Sequence, residues 1–125
     1  MKKLRKLHLS FDLDGTICHI KKAKESYTDL MPINGMKNLI NSLKKEGHTI
    51  VIHTARGMKS HNGNLKEIKK HVLPTIVNWL KKHKISYDEI VIGKPNSDCF
   101  IDDKAIKFTS AKNLKNHLNK LWNKI

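Results

Sequence analysis

The sequence predicts an α/β fold with a mostly parallel central sheet. Short apolar segments with strand character alternate along the 125 residues with segments in which apolar residues recur at helical spacing. The strand-like segments are too apolar for solvated edge strands, which places them inside a covered sheet. Alternation of this kind is typical of one domain built from right-handed β-α-β units, here spanning residues 1–125.

Four segments are predicted to form the strands, and each is followed by polar residues. Gly15 comes soon after the first segment and permits a tight turn that brings the backbone close to a ligand. Residues 17–31, which we call the flap, are polar and weakly periodic, and we expect a loop or short hairpin over the end of the first strand. The four segments are residues 7–11, 49–53, 89–92 and 99–101.

Three stretches are predicted to be helical. The first carries a single apolar stripe and ends at Gly47, which would act as a left-handed cap. In the second, Pro74 either kinks the helix or begins another one in its first turn. The third is an amphipathic helix that Trp122 is expected to anchor. The stripe of the first helix consists of Met36, Leu39, Ile40 and Leu43.

The composition indicates anionic partners. Twenty-five lysines and arginines stand against 11 acidic residues, a formal net charge of +14. Such an excess favours phosphates or nucleic acid, although scattered lysines in a lysine-rich composition explain it equally well. No segment is apolar over the about 18 residues of a membrane span, and no signal peptide is evident, so we expect a cytoplasmic protein without membrane contact.

The two cysteines, Cys18 and Cys99, do not have the spacing of metal ligands. A zinc site is therefore not expected, and in a cytosolic protein both thiols should be reduced. We expect both to be buried as small apolar side chains.

The polar residues that follow the predicted strands share one topological position. Asp12, Thr54, Lys94 and Asp102 each follow a short apolar segment. Ligands of open parallel sheets bind outside the carboxyl ends of the strands, so these four side chains are expected to converge on one crevice.

Their chemistry points to phosphoryl transfer. Carboxylates as close as Asp12, Asp14 and the pair Asp102-Asp103 need a cation between them, and oxygen ligands beside phosphate favour Mg²⁺. The Lys94 ammonium and the Thr54 hydroxyl suit phosphate oxygens. Asp12 would be the nucleophile of an aspartyl-phosphate pathway, and Asp14 would protonate the leaving oxygen and later deprotonate water.

The sequence resembles the haloacid dehalogenase-like (HAD) superfamily in four motifs that occur in the family's order. Residues 12–16 resemble its DxDGT box, residues 50–54 its apolar strand ending in threonine, Lys94 its conserved lysine, and residues 100–103 its acidic motif. The resemblance implies a Rossmann-like three-layer sandwich, Mg²⁺ as cofactor and phosphatase activity.

The resemblance also implies a role for each matching residue. Asp12 would be nucleophile and metal ligand, and Asp14 would be the acid/base, with its backbone carbonyl on the metal. Thr54 and Lys94 would bind the phosphoryl group, and Asp102 the metal. Asp103 would bind the metal through water, and which member of the pair Asp102-Asp103 binds directly stays open.

Many members of this superfamily carry an inserted cap domain, and this sequence has no room for one. The flap is too short for a folded domain, and one loop and the helices around Pro74 occupy residues 55–88. We therefore expect an open site, covered by a second subunit of a homo-oligomer, by the flap or by a large substrate.

A closer resemblance links the sequence to small HAD proteins found with bacterial capsule and surface-polysaccharide genes. It is carried by residues 54–58, 87–90 and 94–106. The resemblance implies a substrate that is a phosphorylated carbohydrate or a phosphorylated group attached to one. Arg56 is expected to contact the substrate or another anionic group of the site, and His61 is a candidate substrate contact.

Two other functions remain open at this point. The positive charge and the open site favour a nucleic-acid end phosphatase. A non-catalytic phosphate-binding or scaffold protein is a further alternative, although none of the expected catalytic positions is missing.

Overall fold

Three parallel strands form a sheet in the order β1-β2-β3 in the computed structural model, which describes residues 5–122. The strands alternate with helices as the sequence predicts. The strands are β1 (His8–Asp12), β2 (Thr49–Thr54) and β3 (Glu89–Ile92); the helices are α1 (Met36–Lys45), α2 (Leu65–His71), α3 (Leu73–Lys82) and α4 (Ala111–Trp122).

The strand register brings the carboxyl ends of the strands to one edge of the sheet. Asp12, the last residue of β1, pairs with His53. Thr54, the last residue of β2, pairs with Ile92 at the end of β3. Side chains at or just beyond these positions therefore lie close together, as expected at the carboxyl ends of parallel strands.

One face of the sheet carries the apolar core. Phe11, Ile50 and Ile52 are buried there, because paired positions of neighbouring strands share a face. Helices α1, α3 and α4 contribute side chains to the same cluster. On the opposite face Val51 is buried, but the β1 and β3 positions that flank it, Ser10 and Glu89, are exposed. The structure thus shows an α/β fold with one helix-covered face, without establishing the second helical layer of the expected three-layer sandwich.

The prediction of a fourth strand at residues 99–101 is wrong. Residues 99–101 form no strand, and the side chains of Phe100 and Ile101 are 50% and 99% exposed. Cys99 is exposed as well, contrary to the expectation that it is buried. Such a short apolar run needs the hydrogen bonds of a neighbouring strand to persist, and no described strand pairs with it.

The predicted helix boundaries agree with the structure. Gly47 has a φ of 97° directly after the C-cap of α1, which confirms the left-handed end of that helix. Pro74 lies in the first turn of α3, so it begins a second helix rather than kinking a single one. Trp122 packs edge-on against the buried His48, with ring centroids 4.5 Å apart, and so connects α4 to the start of β2.

The flap is a loop with one 3-10 turn at Tyr27–Asp29. Its end is held in place by the indole of Trp79 in α3, whose Nε1 donates a hydrogen bond of 2.7 Å to the carbonyl of Leu30. Leu30 is buried in the core, so the end of the flap is packed against the rest of the protein. Most of the other flap side chains are exposed. Among the residues that the structure describes, no helix has the length and apolar character needed to cross a membrane.

Candidate active site

A crevice of about 700 Å³ lies at the carboxyl edge of the sheet. Its floor is formed by residues at or just beyond the ends of the three strands, and its rim by the flap, the loop after β2 and the loop after β3. Two carboxylates and three cationic side chains line it, so the crevice carries a net positive charge suited to an anion. The charged residues are Asp12, Asp14, Arg56, Lys59 and Lys94.

Asp14 is held by a two-point ion pair with Arg56. The guanidinium donates from Nε to Oδ2 at 3.1 Å and from its second terminal nitrogen to Oδ1 at 2.7 Å. The thiol of Cys18 donates to the same Oδ1 at 3.4 Å. The turn after β1 places these groups together, because the backbone N–H groups of Ile17 and Cys18 both bond to the carbonyl of Leu13.

Asp12 lies beside Lys94, with 3.4 Å between the carboxylate oxygen and the ammonium nitrogen. The backbone of Lys94 is attached to the end of β2, because its N–H donates to the carbonyl of Thr54. The ammonium also lies 4.4 Å from the centroid of the Phe100 ring. Asp12, the nucleophile expected from the sequence, thus has a cation directly beside it.

Thr54 is buried at the end of β2, where its hydroxyl oxygen accepts a 3.0 Å hydrogen bond from the backbone N–H of Arg56. Since a hydroxyl can accept and donate at once, its proton stays available for another acceptor. This bond also shapes the turn that directs the Arg56 side chain back across the crevice toward Asp14.

The structure brings together five of the eight predicted site residues: Asp12, Asp14, Thr54, Arg56 and Lys94. His61 does not line the crevice; its ring stacks on that of His71, with centroids 6.0 Å apart. Asp102 and Asp103 do not line it either, and both are exposed. The predicted fourth strand, which would have carried them to the same sheet edge as Asp12, is absent from the residues that the structure describes.

Two aromatic residues of the crevice were not predicted as site residues. Tyr27 in the flap lies under the Arg56 guanidinium, with the central carbon 4.0 Å from the ring centroid, and Phe100 lies under Lys94. Tyr27 could have been suspected, because the flap was expected to cover the end of β1. Nothing in the sequence distinguished Phe100 from a core residue of the predicted fourth strand.

The oxygen donors of the crevice fit Mg²⁺ chemically. Asp12 offers a carboxylate, and the Asp14 carbonyl accepts no hydrogen bond within residues 5–122. Over the same residues no three His, Cys, Asp or Glu side chains are clustered closely enough to hold a metal ion. Two protein oxygens suffice for Mg²⁺, which keeps several waters and takes further ligands from phosphate.

The chain is similar to a structural-genomics target from Vibrio cholerae whose crystal structure has been solved. The two sequences are 33% identical, the match covers 94% of this chain and 98% of that one, and the TM-score is 0.78. No family model and no curated protein matches the chain. Because a match at 33% identity covers nearly the whole of both proteins, the chain belongs to the same family as this Vibrio cholerae protein.

Proposed function

We propose that the protein is a Mg²⁺-dependent phosphomonoesterase of the HAD superfamily that works through an aspartyl-phosphate. The observation that carries the proposal is the pairing of Asp12 with Lys94 at 3.4 Å, in a crevice that also contains Asp14 and the Thr54 hydroxyl. The four HAD-like motifs, in the family's order, support it.

In the proposed reaction an oxygen of Asp12 attacks the phosphorus of a phosphate monoester, and the bond from phosphorus to the leaving oxygen breaks. Asp14, which must be protonated at the start of the cycle, donates its proton to the leaving oxygen. Water then attacks the aspartyl-phosphate, its proton passes to Asp14, and Asp12 and inorganic phosphate are released. Lys94 and Thr54 bind the phosphoryl oxygens during both steps.

The carboxylate of Asp12 and the carbonyl of Asp14 would hold Mg²⁺, with water and substrate oxygens as its further ligands. The bound ion would offset the negative charge that the phosphate brings next to the two carboxylates. Removal of metal with EDTA should therefore abolish turnover, and added Mg²⁺ should restore it.

The substrate is proposed to be a phosphorylated carbohydrate or a carbohydrate-linked phosphate of surface-polysaccharide biosynthesis in the cytoplasm. The resemblance to HAD proteins of capsule gene clusters supports this class. The crevice supports a substrate of some size, because about 700 Å³ is far more room than a phosphoryl group occupies. Ser60, Asn96 and Ser97 in its lining can form hydrogen bonds with hydroxyl groups.

Phosphate release from p-nitrophenyl phosphate in the presence of Mg²⁺ tests the reaction. Asp12→Asn should lower the rate by at least about 100-fold, because an amide is a poor nucleophile. Asp29→Asn, the same change at an exposed flap position outside the crevice, is the matched control and should keep the wild-type rate. Equal rates for wild type and Asp12→Asn would refute the proposal.

A nucleic-acid end phosphatase is the second candidate, favoured by the net charge of +14 and by the exposed Lys59 on the crevice rim. Phosphate release from oligonucleotide ends that falls steeply with salt would support it. Turnover of phosphorylated sugars at a much higher kcat/KM than oligonucleotide ends would reject it in favour of the first candidate.

A further inference from the structure

Arg56 stands out among the crevice residues because its guanidinium is buried and is paired with a carboxylate. The residue is only 8% exposed, although arginine is rarely buried. A buried arginine is favourable only when its charge is paired and its donors are used. The groups that contact the Arg56 guanidinium therefore indicate its role.

The first partner is Asp14. The two hydrogen bonds, at 3.1 and 2.7 Å, run in parallel from one edge of the guanidinium to both carboxylate oxygens. Such a fork fixes the plane of the carboxylate as well as its position, which a single lysine ammonium cannot do. It also leaves that edge of the guanidinium unavailable to a phosphate.

The second partner is the flap. The guanidinium lies over the ring of Tyr27, with the central carbon 4.0 Å from the ring centroid. The flap is in turn attached to α3 by the hydrogen bond from Trp79 to Leu30. A chain of contacts thus runs from α3 through the flap to Arg56 and on to Asp14.

We propose that Arg56 is a positioning residue rather than a substrate contact: it fixes the Asp14 carboxylate for proton transfer, and Tyr27 of the flap orders Arg56. This inference rests on the proposed phosphatase function. It assigns the binding of phosphate to Lys94, Lys59 and Thr54, and it makes the flap part of the catalytic geometry. A misplacement of about 1 Å in a proton-transferring group can cost about 100-fold in rate.

The first test separates kcat from KM. Arg56→Gln should lower kcat about 100-fold while KM for the phosphate monoester changes less than about twofold, because Asp14 is misplaced but phosphate binding persists. Arg56→Lys, which keeps the charge without the fork, should lower kcat by an intermediate factor. Guanidinium ion at low concentration should partly restore kcat of Arg56→Ala, and ammonium ion should not.

The second test addresses the flap. Tyr27→Phe retains the ring under the guanidinium and should therefore lower kcat much less than Tyr27→Leu does. Tyr27→Leu removes the ring and should lower kcat in the same direction as Arg56→Gln, by a smaller factor. Lys70→Gln, an exposed position on α2, is the control for loss of one positive charge, and circular dichroism of each variant checks that it is folded.

The outcomes separate the two proposals. A rise in KM of Arg56→Gln with unchanged kcat would show that Arg56 binds substrate, and would overturn the inference while leaving the phosphatase function intact. Equal kcat in Tyr27→Leu and wild type would overturn the part assigned to the flap. Lack of Asp12-dependent phosphate release in the wild type would overturn both the function and the inference.

Discussion

The two carboxylates that follow β1 lie one residue apart in sequence but have different surroundings. Asp12 is beside Lys94, a cation that is itself 17% exposed and can reach an incoming anion. Asp14 is locked to Arg56, whose side chain is 5% exposed. The difference fits the unequal roles that we propose for them, because a nucleophile needs access to the substrate whereas a proton-transfer group needs a fixed orientation.

Lys94→Gln should lower kcat/KM for phosphate release by about 100-fold, because the crevice loses the cation beside Asp12, the proposed nucleophile. The measurement is steady-state kinetics with an aryl phosphate and Mg²⁺. Lys107→Gln, at an exposed position outside the crevice, is the matched control. A wild-type kcat/KM in Lys94→Gln would contradict the role assigned to this lysine.

The two cysteines should differ sharply in reactivity. Burial and the neighbouring Asp14 carboxylate raise the pKa of the Cys18 thiol to about 12, whereas Cys99 is exposed. Because only the thiolate is nucleophilic, iodoacetamide near neutral pH should modify Cys99 alone in the folded protein and both cysteines after denaturation. Mass spectrometry of the alkylated protein identifies the modified cysteine. Rapid alkylation of Cys18 in the native state would disprove the prediction.

At the scale of elements, the crevice depends on how loops attach to helices. The flap is held by α3 through Trp79, and the loop before α1 approaches the start of α4. Gly35 is the N-cap of α1 with a φ of 82°, and a Cβ built there would come within 2.9 Å of the Cβ of Ala111. Glycine is therefore required at this position for its backbone conformation and for close packing.

Gly35→Ala should destabilise the protein by about 1–3 kcal/mol, because it adds left-handed strain and a clash with α4. Ala111→Gly in the same chain should recover part of the loss by removing the clash. Gly63→Ala is the matched control for strain alone, since its φ is 73° but its nearest neighbour would be 3.9 Å away. Urea unfolding of the single and double variants measures the coupling, and strictly additive effects would rule out the clash.

At the scale of the whole molecule, histidines connect stability to pH. Burial lowers the pKa of His48 below its ordinary 6.5; Glu46 opposes this and Lys6 adds to it. Burial likewise lowers the pKa of His83, with contributions from Lys82 and Lys37. The Nδ1 atom of His48 accepts a 2.9 Å hydrogen bond from the backbone N–H of Leu7, so a second proton on this imidazole would break that bond. The Nε2 atom of His83 is buried without a hydrogen-bond partner among the described residues.

The free energy of unfolding should therefore fall as pH decreases below about 6.5, because the unfolded chain binds protons that the folded histidines do not. Above that pH both states are neutral and this contribution is fully present. Urea denaturation between about pH 7.5 and pH 5 measures the slope. His48→Gln should flatten it, with the exposed His117→Gln as control; an unchanged slope in His48→Gln would exclude His48 as its source.

Much of the fold could be predicted because it depends on local patterns. The apolar stripe of α1, the glycine that ends it and the proline in the first turn of α3 are effects of neighbours in sequence, and all three agree with the structure. The convergence of Asp12, Thr54 and Lys94 was predictable for a different reason: parallel strands align their carboxyl ends.

The failures concern residues whose position depends on distant partners. Whether Cys99 and Phe100 lie in a strand is decided by pairing with another strand, and the apolar run alone cannot reveal the absence of that pairing. His61 was expected near the crevice because it lies in the loop after β2, but in the structure its ring stacks on that of His71. Loop conformation depends on tertiary contacts that periodicity does not encode.

The sequence by itself determined the α/β class, the order of the helices and the carboxylate, hydroxyl and ammonium groups at the ends of the strands. These follow from periodicity and from the alignment of parallel strands. Only the tertiary structure decided that Arg56 binds Asp14, that Tyr27 lies beneath Arg56 and that the pair Asp102-Asp103 lies outside the crevice. The physical reason is that side-chain pairing across 42 positions in the chain depends on how loops pack, which no local pattern specifies.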